Sequence, residues 1–155
     1  MVRFIFVSSS FYRASYKFSH FSFRAAGGKS GNRHTTDHCG ARLYLLSNAQ
    51  ACFTRPELRQ LELEDAFDGI VLSSDASVRK PDPRIMRRLL EENGLSVRES
   101  VMIGNDRLTD VAVARAVGMD CLYLETETSR KDLKGPRADY EVLSGSPAEH
   151  EIFRI

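Results

Sequence analysis

Val101-Met102-Ile103-Gly104-Asn105-Asp106-Arg107-Leu108-Thr109-Asp110 reads as a buried apolar strand that ends in glycine, followed by two carboxylates four residues apart where a helix begins. Carboxylate oxygens suit a hard cation such as Mg²⁺, and the carboxyl end of a strand opens into the crevice of an α/β sheet, where ligands bind. The stretch therefore points to phosphate chemistry. Asp106 and Asp110 are equally good helix caps, so the run needs support from elsewhere in the chain.

Two upstream segments supply it. Arg42-Leu43-Tyr44-Leu45-Leu46-Ser47-Asn48 is a second apolar run, ending in a hydroxyl and an amide. Both residue types also favour turns by bonding their own backbone. Ser77-Val78-Arg79-Lys80-Pro81-Asp82-Pro83 places Lys80 just before a helix start, with Asp82 as cap and Pro83 at the first helical position. A lone lysine at such a place is ordinarily a solvated charge.

In this order and separation, the three segments resemble the haloacid dehalogenase (HAD) superfamily of phosphohydrolases. In that family the second motif ends a strand in Ser or Thr, the third supplies a Lys before a helix, and the fourth is a strand followed by paired acids. Ser47, Lys80, and Asp106 with Asp110 stand at the matching positions, and the resemblance covers about residues 41–145. It implies that Ser47 Oγ, Asn48 and nearby backbone N–H groups bind a phosphoryl oxygen and that Lys80 neutralises charge. Asp106 would ligate Mg²⁺, and Asp110 would orient Lys80 or a metal-bound water. Asn105 stands where many relatives carry another acid, which leaves the metal site one carboxylate poorer.

The front of the chain departs from the family. Its first motif, a strand ending in Asp-x-Asp, supplies the nucleophile and the general acid. No Asp-x-Asp occurs here, and the first acidic residue is Asp37. Val2-Arg3-Phe4-Ile5-Phe6-Val7-Ser8-Ser9-Ser10 is apolar and β-prone, so residues 2–8 are suited to replace the missing strand physically. Val7 and Ser9 would then stand in place of the two carboxylates, and a serine hydroxyl is a poor nucleophile without a base. The expectation is a phosphate-site scaffold with impaired turnover. In the family this strand is central, so leaving its place empty would strand buried backbone groups at a cost of roughly 1–3 kcal/mol each.

Composition breaks near residue 36. Residues 1–36 hold six Lys or Arg, seven serines, eight of the 14 aromatics and no acid. The remainder holds 16 basic and 21 acidic residues, a balance of −5 concealed by the overall +1. An Arg- and Ser-rich, acid-poor N-terminus suits a transit peptide, and basic residues among aromatics suit contact with nucleic acid or an anionic membrane. The number of aromatics and the lack of an amphipathic period favour a third reading, an extension foreign to the core and produced by truncation or a shifted frame. No nucleic-acid partner is expected.

Other motifs are weaker. Gly27-Gly28-Lys29-Ser30-Gly31 resembles a phosphate loop, but Phe23 stands where the first glycine is required, so it reads as a linker. His34, His38, Cys39 and Cys52 match no usual zinc spacing. Three cysteines at irregular spacing suit reduced thiols in the cytoplasm. No run of 18 apolar residues is present, so no membrane span is expected.

The remaining pattern is βαβα. Leu43–Leu46, Ile70–Leu72, Val101–Ile103 and Leu122–Leu124 are short, continuously apolar runs, as parallel strands covered on both faces should be. Thr54-Arg55-Pro56-Glu57 reads as a capping box opening a helix to about Leu61. Residues 83–93 are helical before Gly94, and Ala112, Ala114 and Ala116 lie on a helix before Gly118. Residues 139–143 suit an edge strand and 147–155 a terminal helix. The expected fold is α/β, a HAD-like Rossmannoid doubly wound parallel sheet in a single core domain at 41–145, with a tail at 146–155. The segment before Arg42 is too short for a sizeable cap. The expected function is Mg²⁺-dependent phosphohydrolysis of a small phosphorylated metabolite, impaired at the nucleophile. The alternative is a non-catalytic module binding inorganic phosphate or a protein.

Overall fold

Continuous apolar runs bounded by turn residues become strands because both their faces are covered. In a computed structural model, which describes the backbone of residues 4–7 and all of residues 42–126, 129–130 and 134–142, each expected run is a strand slightly longer than its apolar stretch. The chain order is β1 (Phe4–Val7), β2 (Arg42–Ser47), α1 (Ala51–Gln60), β3 (Gly69–Leu72), α2 (Ser73–Ala76), α3 (Pro83–Asn93), β4 (Ser100–Gly104), α4 (Ala112–Val117), β5 (Asp120–Leu124) and β6 (Tyr140–Val142). The strands form one sheet in the order β3-β2-β1-β4-β5-β6, with every pair parallel. The chain winds outward from β1 in both directions, so the fold is the doubly wound α/β arrangement.

β1 lies between β2 and β4, with Val7 level with Leu45 on one side and Ile103 on the other. Because all strands run the same way, Ser47 and Gly104 end β2 and β4 on one edge of the sheet. Alternate residues feed opposite faces. Tyr44, Leu46, Val71, Met102, Cys121 and Tyr123 pack with Ile85, Met86 and Leu89 of α3 and Val113 of α4. Leu45 points the other way onto Leu58 of α1, while Ile103, Leu122 and Val142 form a separate cluster.

The α3 boundaries follow local chemistry. Asp82 accepts from Arg84 N at 2.9 Å, Pro83 opens the helix, and Gly94 closes it at φ 61°. α1 departs from expectation: it begins three residues before Thr54, and Pro56 lies inside it. Its first N–H, that of Ala51, donates to Ser74 Oγ at 2.9 Å. The cap is tertiary, so the local capping box at Thr54 does not set the start. Ahead of α4, residues 107–111 form a wider turn in which Val111 N donates to Asp106 O at 3.2 Å. Such single turns recur at functional sites.

The glycine-rich stretch at 27–31, residues His34, His38 and Cys39, the compositional break at residue 36, the segment where a cap would insert and the terminal helix at 147–155 all lie outside the described residues. Among the described residues, no helix is long and apolar enough to cross a membrane.

Candidate functional site

The carboxyl edge of the sheet gathers the side chains singled out in the sequence. Lys80, on the loop between α2 and α3, turns its ammonium inward, where Nζ donates to Leu46 O at 2.8 Å and to Asp110 Oδ1 at 2.7 Å. The side chains of Lys80 and Asp110 are 2% and 1% exposed, so the pair is fully desolvated. Such a pair is tolerable where further hydrogen bonds support both charges. Asp110 Oδ2 accepts from the backbone N–H groups of Asn105 and Asp106, each at 3.1 Å. One carboxylate thereby holds the lysine with one oxygen and the loop after β4 with the other.

Gly104 makes this possible. A Cβ there would come within 2.3 Å of Asp110 Cβ. The glycine at the end of the apolar run is therefore needed for close approach of a side chain, a signal present in the sequence but not interpretable from it.

Ser47 follows Leu46 directly, so its peptide unit is the one the lysine grips. The residue is fully buried, and its Oγ has no hydrogen-bond partner among the described residues. A buried hydroxyl without a partner costs free energy unless something else supplies one.

Asp106 lies at the mouth, half-buried, with Oδ1 accepting from Leu108 N at 2.8 Å. It is thus a cap, and its carboxylate faces the same loop that Asp110 organises. Asn105 is buried, and its Nδ2 donates to Thr126 Oγ1 at 2.8 Å; Ser129 Oγ accepts from Thr126 N at 2.8 Å. This hydroxyl bracket beyond β5 carried no recognisable signal in the sequence. Asn48, expected to touch phosphate, pairs its side-chain amide with the Lys80 backbone: Lys80 N donates to its Oδ1 at 2.7 Å, and its Nδ2 donates to Lys80 O at 2.9 Å.

Among the described residues no three His, Cys, Asp or Glu side chains come together as a metal cage. With Asp110 engaged by Lys80 and two amides, Asp106, whose Oδ1 accepts from Leu108 N, would be the carboxylate to offer oxygen. Mg²⁺ keeps several waters and is commonly held by one or two carboxylates plus phosphate oxygens. The donor set suits an ion that arrives together with a phosphate.

Behind this loop, Arg107 forms a bidentate pair with Glu141 of β6, at 2.7 and 3.0 Å, and its guanidinium lies 4.0 Å from the centre of the Tyr123 ring. The hydrogen bonds from Arg107 hold the Glu141 carboxyl below its ordinary value. Cys121 is buried in β5, and burial pushes its thiol up to about 12. It takes no part in the site.

Known proteins share the fold and part of the sequence of this region. A phosphoglycolate phosphatase of Yersinia pestis is 34% identical over 85 residues, covering 55% of this chain and 36% of that protein. A phosphoserine phosphatase of Thermus thermophilus is 30% identical over 110 residues, covering 71% and 43%. The chain thus spans well under half the length of these curated relatives. Among solved structures, a HAD phosphatase from Thermococcus onnurineus superposes with a TM-score of 0.61 at 28% identity, over 69% of this chain and 48% of that one. A Listeria monocytogenes serotype 4b protein shares the fold with a TM-score of 0.66 at 17% identity, over 91% of each chain. The family model for haloacid dehalogenase-like hydrolases matches residues 34–124, more than half of the chain and the whole span of the three motifs. On that match, the chain belongs to the haloacid dehalogenase-like hydrolase family.

Proposed function

We propose that this chain builds the phosphate site of a Mg²⁺-dependent phosphatase for a small phosphorylated metabolite, with hydrolysis impaired because β1 brings no carboxylate to that site. The observation that carries this reading is the buried Oγ of Ser47, without a partner among the described residues, beside the lysine-gripped end of β2. Its hydroxyl would donate to a phosphoryl oxygen. Lys80, held by Asp110, would supply fixed positive charge at the same edge. Asp106 would hold Mg²⁺, whose contribution when bound is to neutralise phosphate charge. Asp110 would position the lysine, and the Asn48 side-chain amide would hold the Lys80 backbone.

Impairment follows from sequence. Residues 1–36 contain no Asp or Glu, so neither β1 nor the residues that directly follow it in sequence supply a carboxylate nucleophile. This favours a second reading on the same scaffold, a module that binds phosphate without turnover. Hydrolysis of an aryl phosphate with Mg²⁺, abolished in Ser47→Ala and Lys80→Ala, would support the enzyme. Phosphate-dependent thermal stabilisation lost in Ser47→Ala, with no hydrolysis, would support the module. Neither activity nor stabilisation would end both readings.

The Ser47→Ala variant separates binding from folding. Since the hydroxyl has no partner among the described residues to lose, stability is expected to stay within about 0.5 kcal/mol of the native chain or to rise. Phosphate affinity is expected to fall about tenfold. Denaturant unfolding and phosphate calorimetry on one preparation measure both.

A further inference from the structure

The loop carrying Lys80 has no regular secondary structure between α2 and α3, and it opens at Ser77 in the left-handed region, with φ 55°. Lysine has a flexible stem, so a fixed ammonium requires a fixed backbone beneath it. That backbone is held from a residue 32 positions away. Lys80 N donates to Asn48 Oδ1 at 2.7 Å, and Asn48 Nδ2 donates to Lys80 O at 2.9 Å. Both polar ends of one side-chain amide thus pair with the N–H and C=O of a single residue, in the manner of two residues exchanging bonds between antiparallel strands.

The consequences run along the side chain. Asn48 follows Ser47, whose peptide unit begins at the Leu46 carbonyl that accepts from Lys80 Nζ at 2.8 Å. The lysine is therefore held at both ends by one short piece of β2 and its following turn: the backbone by Asn48, the ammonium by Leu46. Asp110 completes the grip from the other side.

We infer that Asn48 is a positioning residue that fixes the Lys80 backbone, and with it the direction of the ammonium, and that it does not itself take the phosphate. This rests on the phosphate-site reading above. An amide suits this pairing: a carboxylate cannot donate to the carbonyl, and a single hydroxyl oxygen cannot meet both groups at these separations.

The test uses the full chain with inorganic phosphate and Mg²⁺ as probes, and four variants: Asn48→Ala, Asn48→Asp, Lys80→Ala and the Asn48→Ala/Lys80→Ala double. Amide exchange read by NMR is expected to be at least about tenfold faster at Lys80 N–H in Asn48→Ala than in the native chain. In Asn48→Asp, which keeps an acceptor, it should stay within about threefold. Phosphate affinity should fall about tenfold on Asn48→Ala when Lys80 is present, and less than about twofold when Lys80 is already alanine. That non-additivity is what a merely structural role would not produce.

Unchanged exchange at Lys80 would overturn the clamp, and equal losses in both backgrounds would show that Asn48 touches the phosphate directly. Should Asn48→Ala fail to fold, Asn48→Ser, whose short side chain cannot span both separations, carries the same exchange and affinity comparisons. A native chain that takes up no phosphate would overturn the proposed function, while exchange at Lys80 would still report whether Asn48 holds the loop.

Discussion

Lys80 and Asp110 lie 30 residues apart in sequence and 2.7 Å apart in space, both stripped of water. Removing one partner of such a pair strands the other charge, so Lys80→Ala is expected to lower the free energy of unfolding by about 3 kcal/mol or more. Exchanging both for apolar groups of similar volume should restore most of that stability while abolishing phosphate binding; denaturant titration beside calorimetry reads the two effects. Gly104 belongs to the same argument. Its substitution by alanine drives a Cβ into Asp110, at an expected cost of about 1–3 kcal/mol, with loss of the amide contacts at Asn105 and Asp106. The cysteines offer a simple check of burial. Cys52 is exposed, whereas the Cys121 thiol is buried and pushed up to about 12. Alkylation of the native chain at mildly alkaline pH should modify Cys52 readily and Cys121 only after denaturation.

The turn between β4 and α4 is tied down from outside by Arg107, through Glu141 of β6 and the face of Tyr123. Arg107 follows Asp106, so this tether also limits where Asp106 can go. The Glu141 carboxyl is held below its ordinary value chiefly by hydrogen bonds from Arg107. A carboxylate lowered on folding stabilises fully above its unfolded value, and the effect is lost as pH falls through the lowered, folded one. Glu141→Gln should therefore cost about 0.5 kcal/mol at neutral pH, a figure reduced for partial exposure, and nothing once the acid range is entered. Unfolding of the native chain and the variant across that pH range measures the difference. The element scale also shows where local reading misplaces a boundary: α1 starts at Ala51 because Ser74 caps it from α2, a partner that Thr54-Arg55-Pro56-Glu57 does not reveal.

For the molecule as a whole, β1 is the piece that joins two halves. It pairs with β2 on one side and β4 on the other, so a proline in it would remove a ladder hydrogen bond from the middle of the sheet. Ile5→Pro is expected to abolish cooperative unfolding or lower the melting temperature sharply, measured by circular dichroism, whereas Tyr140→Pro on the edge strand β6 should be far milder. The contrast would locate the sheet's centre in solution. Much of the architecture was legible in the chain itself. Short apolar runs between turn residues specify parallel strands, since period and composition are local properties, and the Asp82-Pro83 start and Gly94 stop of α3 are likewise written in neighbouring residues. The family resemblance pointed to Ser47, Lys80, Asp106 and Asp110 together, and the structure gathers them at one edge of the sheet. Their division of labour was not legible in the chain. Only the tertiary structure decided that Asn48 grips the Lys80 backbone, that Asp110 divides its oxygens between an ammonium and two amides, and that a hydroxyl bracket at Thr126 and Ser129 supports Asn105. The physical reason is that hydrogen-bond partners 21 to 32 residues apart are chosen by which groups the finished sheet brings together along its carboxyl edge, and no local pattern encodes that choice.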